Sequence, residues 1–290
     1  MAQLDGRRPD PPRARSASLR LAGRSLDLNR VAIMGILNVT PDSFSDGGHF
    51  LSPVAAVGQA RAMRAEGADI IDVGGESTRP GAQPVSLEEE LDRVIPVIER
   101  VASELDCPIS IDTTKPAVMR AAVAAGAGMV NDVNALREAG ALETVARLGV
   151  PVCLMHLRGE PRTMQANPVY KDVVADVREF LVDRQQACLA AGIARDNIII
   201  DPGFGFGKTV THNLDLLRHL AAFKVLDSPI MVGLSRKSMI GKLLGIPVDR
   251  RAHASVTLAL LAVQQGATLV RVHDVGPTCQ AIRMYEAVTH

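Results

Sequence analysis

The 290-residue chain sets 32 Lys and Arg against 32 Asp and Glu, a formal net charge of zero, with 47% apolar and only 3% aromatic residues. That length is enough for a large buried core, and the apolar share excludes a disordered chain. Balanced charge, scarce rings and the lack of any apolar run near ~18 residues exclude nucleic-acid and membrane partners.

Residues 1–17 mix Arg, Pro and Asp without periodicity or an apolar stretch, so they are expected to form a disordered tail and not a secretory signal. Residues 18–29 alternate apolar and polar around Ala22, Gly23 and Arg24, which predicts a β-hairpin. From residue 30, short runs rich in Val and Ile recur at 32–39, 69–74, 108–112, 129–133, 151–156, 197–201, 229–235 and 269–274. Stretches with helical spacing separate them, for example Leu87, Leu91, Val94, Ile95 and Ile98. Strands alternating with helices predict parallel βαβ units, and eight units over ~240 residues predict a (β/α)8 barrel, in one domain spanning 18–290. An open doubly wound sheet needs a GxGxxG turn after its first strand, where this chain reads NVTPD at 38–42.

Every apolar run ends in a polar residue: Asn38, Asp72, Asp112, Asn131 with Asp132, His156, Asp201, Ser235, and Arg271 with His273. Taken singly, each is explained as a helix cap. Together they point to the face where the carboxyl ends of barrel strands converge on an active site. Asp72, Asp112, Asp201 and Asn131 would crowd one side of that mouth. Ionised Asp only accepts hydrogen bonds and Asn reads a mixed edge, so a nitrogen heterocycle rich in N–H donors suits them; a divalent cation is the weaker alternative. The opposite side is expected to be basic. Arg236 and Lys237 stand at a predicted helix start, where the helix dipole disfavours cations, and Arg271 and His273 alternate on the last strand, so an anion is expected there.

DPGFGFGKT at 201–209 is not a phosphate-binding P-loop, because Pro202 stands where the first glycine of GxxxxGK belongs. Its glycines predict a tight strand-to-helix turn, and Lys208 is open between a structural and an anion-facing role. Residues 40–51 and 76–86 are long polar loops on the functional side, expected to serve as lids. The four cysteines lack CxxC spacing and the seven histidines lack HExxH or HxxxH spacing. The expectation is reduced thiols in a cytoplasmic protein, with no zinc site.

Six motifs in order, ILNVTPDSFSDGG at 36–48, DVGGESTRPG at 72–81, MHLRGEPRTMQ at 155–165, DPGFGFGK at 201–208, GLSRKS at 233–238 and RVHD at 271–274, resemble the dihydropteroate synthase family. The resemblance implies a folate-pathway transferase on a (β/α)8 barrel, joining 6-hydroxymethyl-7,8-dihydropterin diphosphate to 4-aminobenzoate with Mg2+, in a cytoplasmic homodimer that sulfonamides target. By motif matching, Asp112, Asn131, Asp201 and Lys237 would hold the pterin beside Asp72. Asn38 would meet Mg2+, and Asn38, Arg271 and His273 the diphosphate. Phe44, Thr78, Arg79, Pro80, Phe206 and Ser238 would form the aminobenzoate site and its lids. Arg158 stands where the family more often has Gln, and the basic tail is additional.

No Ser–His or Cys–His pair is placed for covalent catalysis, which leaves a dissociative route. Diphosphate departs, Asp112 stabilises the cationic pterin methylene, and the arylamine attacks; Arg271, His273 and Lys237 complete the expected catalytic group. Three other readings stay open at this point. They are a pterin-binding methyltransferase barrel, a Schiff-base aldolase using Lys237, and a pterin-binding protein without activity.

Overall fold

The computed structural model describes residues 18–40, 53–77, 82–159 and 163–289. The tail at 1–17 and the candidate residues Phe44, Thr78, Arg79 and Pro80 lie outside the described residues.

Ala22 and Gly23, both with positive φ (48° and 81°), turn β1 (Ser18–Leu21) into antiparallel β2 (Arg24–Asp27), the hairpin that the alternation predicts. The chain then alternates strand and helix: β3 (Ala32–Asn38), α1 (Pro53–Glu66), β4 (Ile70–Gly74), α2 (Leu87–Glu104), β5 (Ile109–Asp112), α3 (Pro116–Ala124), β6 (Met129–Asp132) and α4 (Ala141–Leu148). The second half continues through β7 (Val152–Met155), α5 (Val173–Ala190), β8 (Ile198–Asp201), α6 (Val210–Arg218), β9 (Met231–Val232), α7 (Ser238–Leu244), α8 (Ala252–Gln264), β10 (Leu269–Val272) and α9 (Val275–Thr289). The sheet runs β8-β7-β6-β5-β4-β3-β10-β9, all parallel. A bridge between Ile200 and Ile230 closes it into the barrel.

Side chains alternate across each strand, so the two faces are separate populations. Ile33, Leu37, Ile71, Val73, Val130, Leu154, Ile200 and Val270 point outward into the layer beneath the helices. Ala32, Met34, Ile70, Met129, Cys153, Ile199, Met231 and Leu269 point inward, in one buried cluster with Leu19, Leu21, Leu26 and Leu28. The hairpin is thus a plug in the N-terminal end of the barrel, which leaves the other end for polar groups.

One strand falls short of its expected length. The run 229–235 yields only Met231–Val232, because Pro229 has no N–H to give and the chain from Gly233 turns away to other partners. Ser235 Oγ accepts the His273 N–H (3.2 Å), and the Arg236 N–H goes to Ser255 Oγ (2.9 Å).

Candidate active site

Strand alternation carries a polar layer directly above the apolar plug. Two residues beyond inward-facing Ile70, Met129, Ile199 and Leu269 stand Asp72, Asn131, Asp201 and Arg271. Asp112 pairs in register with Asn131 on one side and Gly74 on the other, and Gly74 pairs with Asn38. Asn38, Asp112 and Asn131 therefore share one level of the mouth.

The centre of this layer is an ion cluster. Arg271 Nε donates to Asp72 Oδ2 and Arg271 Nη2 to Asp112 Oδ2, both at 2.6 Å, while Asn131 Nδ2 donates to Asp72 Oδ2 at 3.1 Å. Asp72 is wholly buried, and its Oδ1 has no hydrogen-bond partner. Burial pushes Asp112 up to about 7, with Arg271 pulling it down and Asp72 adding to the rise. Arg271 is held above its ordinary range by the two carboxylates, which outweigh its own burial. The expectation of a basic side opposite an acidic one is corrected here. Arg271 sits among the carboxylates because its long side chain reaches past β3 to Asp72 on β4 and Asp112 on β5.

Lys237 and Phe206 form the adjoining wall. The Lys237 ammonium lies 4.0 Å from the centre of the Phe206 ring, a cation–π contact. Burial lowers Lys237 to about 8, opposed by Asp201. Asp201 Oδ1 accepts the Gly203 N–H at 2.7 Å, and burial raises this carboxyl against the pull of that bond and of Lys237. Ser238 begins α7 and is exposed. His273 Nδ1 is 3.1 Å from Ser235 Oγ.

Other expectations are corrected. Arg236 does not await an anion, because it is paired with Asp274 through Nε (3.1 Å) and Nη2 (2.5 Å). Its backbone is left-handed (φ 57°), held by Ser255 on its N–H and by Arg251 Nη1, 3.1 Å from its carbonyl. Asp132 and His156 also leave the set of convergent strand-end groups. Asp132 caps the N–H groups of Asn134 and Leu136 at 2.7 Å each, and buried His156 bonds Lys208 at 2.8 Å. Strand ends need caps as well as ligands, and the sequence pattern does not separate the two.

Two further ion and hydrogen-bond groups support the site. Lys115 Nζ joins Glu76 and buried Glu90 beside the Asp112 loop. Arg251, at the start of α8, donates to the carbonyls of Ile246 and Arg236. A cation at a helix start is the sequence signal for Arg251, shared with Arg236.

The arrangement offers acceptors at Asp72, Asp112 and Asp201, a mixed edge at Asn131, and fixed cations at Arg271 and Lys237. It suits a flat ligand rich in N–H donors. No cluster of His, Cys, Asp and Glu among the described residues is spaced to hold a metal by itself. No helix among them is long and apolar enough to cross a membrane.

Comparisons with known proteins agree with this geometry. Residues 34–273 match the family described as pterin binding enzyme. The dihydropteroate synthase of Haemophilus influenzae is 53% identical, covering 92% of this chain and 97% of its own. The crystal structure of the Yersinia pestis dihydropteroate synthase with a sulfonamide drug superposes with a TM-score of 0.91 at 49% identity, covering 93% of this chain and 98% of that one. The Xanthomonas albilineans enzyme with 4-aminobenzoic acid gives 0.90 at 54% identity, covering 94% and 98%.

Proposed function

The chain belongs to the dihydropteroate synthases, transferases of folate biosynthesis, and from that premise we propose how its own residues share the reaction. The reaction condenses 6-hydroxymethyl-7,8-dihydropterin diphosphate with 4-aminobenzoate to 7,8-dihydropteroate and diphosphate. The C–O bond to diphosphate breaks with its electron pair, the arylamine lone pair forms the new C–N bond, and the amine loses a proton.

Asp201, Asp112, Asn131 and Asp72 read the pterin. The observation that carries this is Asp72 Oδ1, a wholly buried acceptor without a hydrogen-bond partner, in a group of carboxylates that only accept. A pterin presents the donors that such a group lacks. Asp112 stabilises the cationic methylene electrostatically, an effect of about 3–4 kcal/mol for one well-placed group. Arg271 gives Nε and Nη2 to carboxylates, and neither carboxylate takes Nη1, so we assign Nη1 to the departing diphosphate together with His273. Phe206 and Lys237 form one wall of the aminobenzoate slot, with Ser238 at its rim. Phe44, Thr78, Arg79 and Pro80 keep the lid roles that the motifs imply.

The family's Mg2+ is tested against Asn38. Its amide oxygen is a hard donor, half-buried at the level of Asp112 and beside Gly74. Mg2+ retains waters and takes few protein oxygens beside substrate phosphates, so a single amide donor fits. When bound, it neutralises charge on the leaving diphosphate.

We place the enzyme in the cytoplasm, where four free, buried thiols remain reduced. As its assembly we assign a homodimer, supported by exposed Leu243 and Leu244 at the end of α7 and Val248 in the turn that follows, apolar residues suited to cover by a second copy. A single barrel domain over 18–290 completes the assignment.

Asp201→Asn tests the pterin assignment. Asn can still accept the Gly203 N–H but presents donors to the ligand, so pterin affinity by calorimetry should fall about 10- to 100-fold, as for loss of a charged hydrogen bond. Unchanged affinity would remove Asp201 from the pterin site.

A further inference from the structure

One buried cation has no part in the reaction as assigned. Lys208 is almost fully buried, and its Nζ lies 2.8 Å from His156 Nδ1, 2.9 Å from the Gly203 carbonyl oxygen and 3.0 Å from that of Phe206. The His156 carbonyl oxygen is farther, at 3.4 Å. An ammonium has three protons to donate, and three acceptors surround it at bonding distance. Lys208 therefore ties the end of β7 to two carbonyls of the loop at 203–207.

Beside the buried Phe204 ring, several further polar bonds hold that loop. Gln165 Nε2 donates to the Gly205 carbonyl (2.5 Å), Tyr170 Oη to that of Gly207 (2.8 Å), and the Gly205 N–H reaches Asn213 Oδ1 (2.7 Å). Gly203 (φ 69°) and Gly207 (φ 61°) approach the carbonyls of His156 and Arg158 so closely that a Cβ would collide with them. Phe204 turns inward and is fully buried, whereas Phe206 projects half-buried, at the edge of a small cluster of Val133, Met155, Leu157 and Met164. Apolar packing alone does not fix the Phe206 ring. Its angle against Lys237 follows from the loop, in which Lys208 binds the carbonyl of Phe206 itself and that of Gly203.

We propose that Lys208 is a positioning residue for the arylamine: it touches neither substrate and acts through Phe206, holding that ring where it forms the aminobenzoate wall with Lys237. The inference rests on the aminobenzoate assignment of Phe206 made above. Asp201 is anchored by strand pairing with Met155 and meets the loop through the Gly203 N–H, so the pterin carboxylate shifts less than the Phe206 ring when Lys208 changes.

Two variants test this, with both substrates varied in steady state and a pterin titrated by calorimetry. Lys208→Met keeps the stem and removes all three donors. Tyr170→Phe removes one bond at the far end of the same loop and keeps the ring, so the fold survives even if the first variant does not. Lys208→Met should raise KM for 4-aminobenzoate about 10-fold or more while pterin affinity moves less than about 3-fold. Tyr170→Phe should raise the same KM about 2- to 5-fold, also without effect on the pterin. Equal losses for both ligands in Lys208→Met would overturn the proposal, as would an unchanged aminobenzoate KM in Tyr170→Phe. A wild-type protein that neither binds pterin nor turns over would refute the assigned reaction instead, an outcome distinct from either.

Discussion

Replacing Arg271 with Ala probes the ion cluster at the base of the site. The guanidinium spans two carboxylates at 2.6 Å each, one wholly buried and the other nearly so. Removing one member of a buried pair destabilises by about 3–5 kcal/mol, since the remaining charge keeps its desolvation penalty without its partner. Protonation limits that loss. Asp112 is already raised to about 7, above its unfolded value of 3.8, with Arg271 opposing the rise. The folded state binds more protons than the unfolded one between those values, so this group's contribution declines as pH rises through that window. Without Arg271 the folded value moves higher and the window widens upward. The variant should therefore lose more stability at pH 8.5 than at pH 5.5, by about 1.4 kcal/mol for each unit of added shift. Thermal unfolding of both proteins at the two pH values is the assay. A loss near 4 kcal/mol corresponds to roughly 8 °C at about 2 °C per kcal/mol. Adding Asp72→Asn to Arg271→Ala should recover part of the loss. A decrease below about 1 kcal/mol, equal at both pH values, would refute the reasoning. Because Arg271 also braces Asp112, the variant should weaken pterin binding as well as diphosphate binding, unlike a residue that serves the anion alone.

Burial lowers Lys237 to about 8, so activity should decline above that pH as the ammonium is lost; Lys237→Arg should carry the alkaline limb upward, and a wild-type profile flat to about pH 9.5 would contradict it. Leu21 is fully buried in the hairpin plug, and Leu21→Ala should destabilise by about 2–5 kcal/mol in denaturant titration, where a loss under 1 kcal/mol would show the plug to be dispensable. The motifs at 40–51 and 76–86 imply ordered binding: a labelled sulfonamide should bind detectably only with diphosphate and Mg2+ present, and tight binding to the bare protein would mean a slot formed without them.

The barrel was legible because strands covered on both faces read as continuous Val and Ile runs, and seven of the eight extend nearly as far as their runs do. The eighth was overread, since Leu234 and Ser235 continue the apolar-then-polar pattern after strand pairing has ended at Val232. Asp72, Asp112, Asn131 and Asp201 could be placed together because strand ends share a level, a property of topology alone. The partners of Arg271 could not. They lie 199 and 159 residues away in sequence, two and three strands along the sheet, where no local pattern distinguishes a carboxylate partner from an anion-binding role. Asp132 and His156 looked like site residues for the converse reason: a polar strand end bonded to nearby backbone or to a buried lysine reads the same in sequence as one facing substrate. Lys208 was undecidable because its acceptors are mostly backbone carbonyls, which leave no signature in residue type.

Diphosphate release by the purified chain, followed with each substrate alone and with both, tests the central claim most directly. The account predicts release only when pterin diphosphate and 4-aminobenzoate are present together, matched one for one by 7,8-dihydropteroate. Release from pterin diphosphate at the same rate without the arylamine, or none with both substrates and Mg2+, would contradict it.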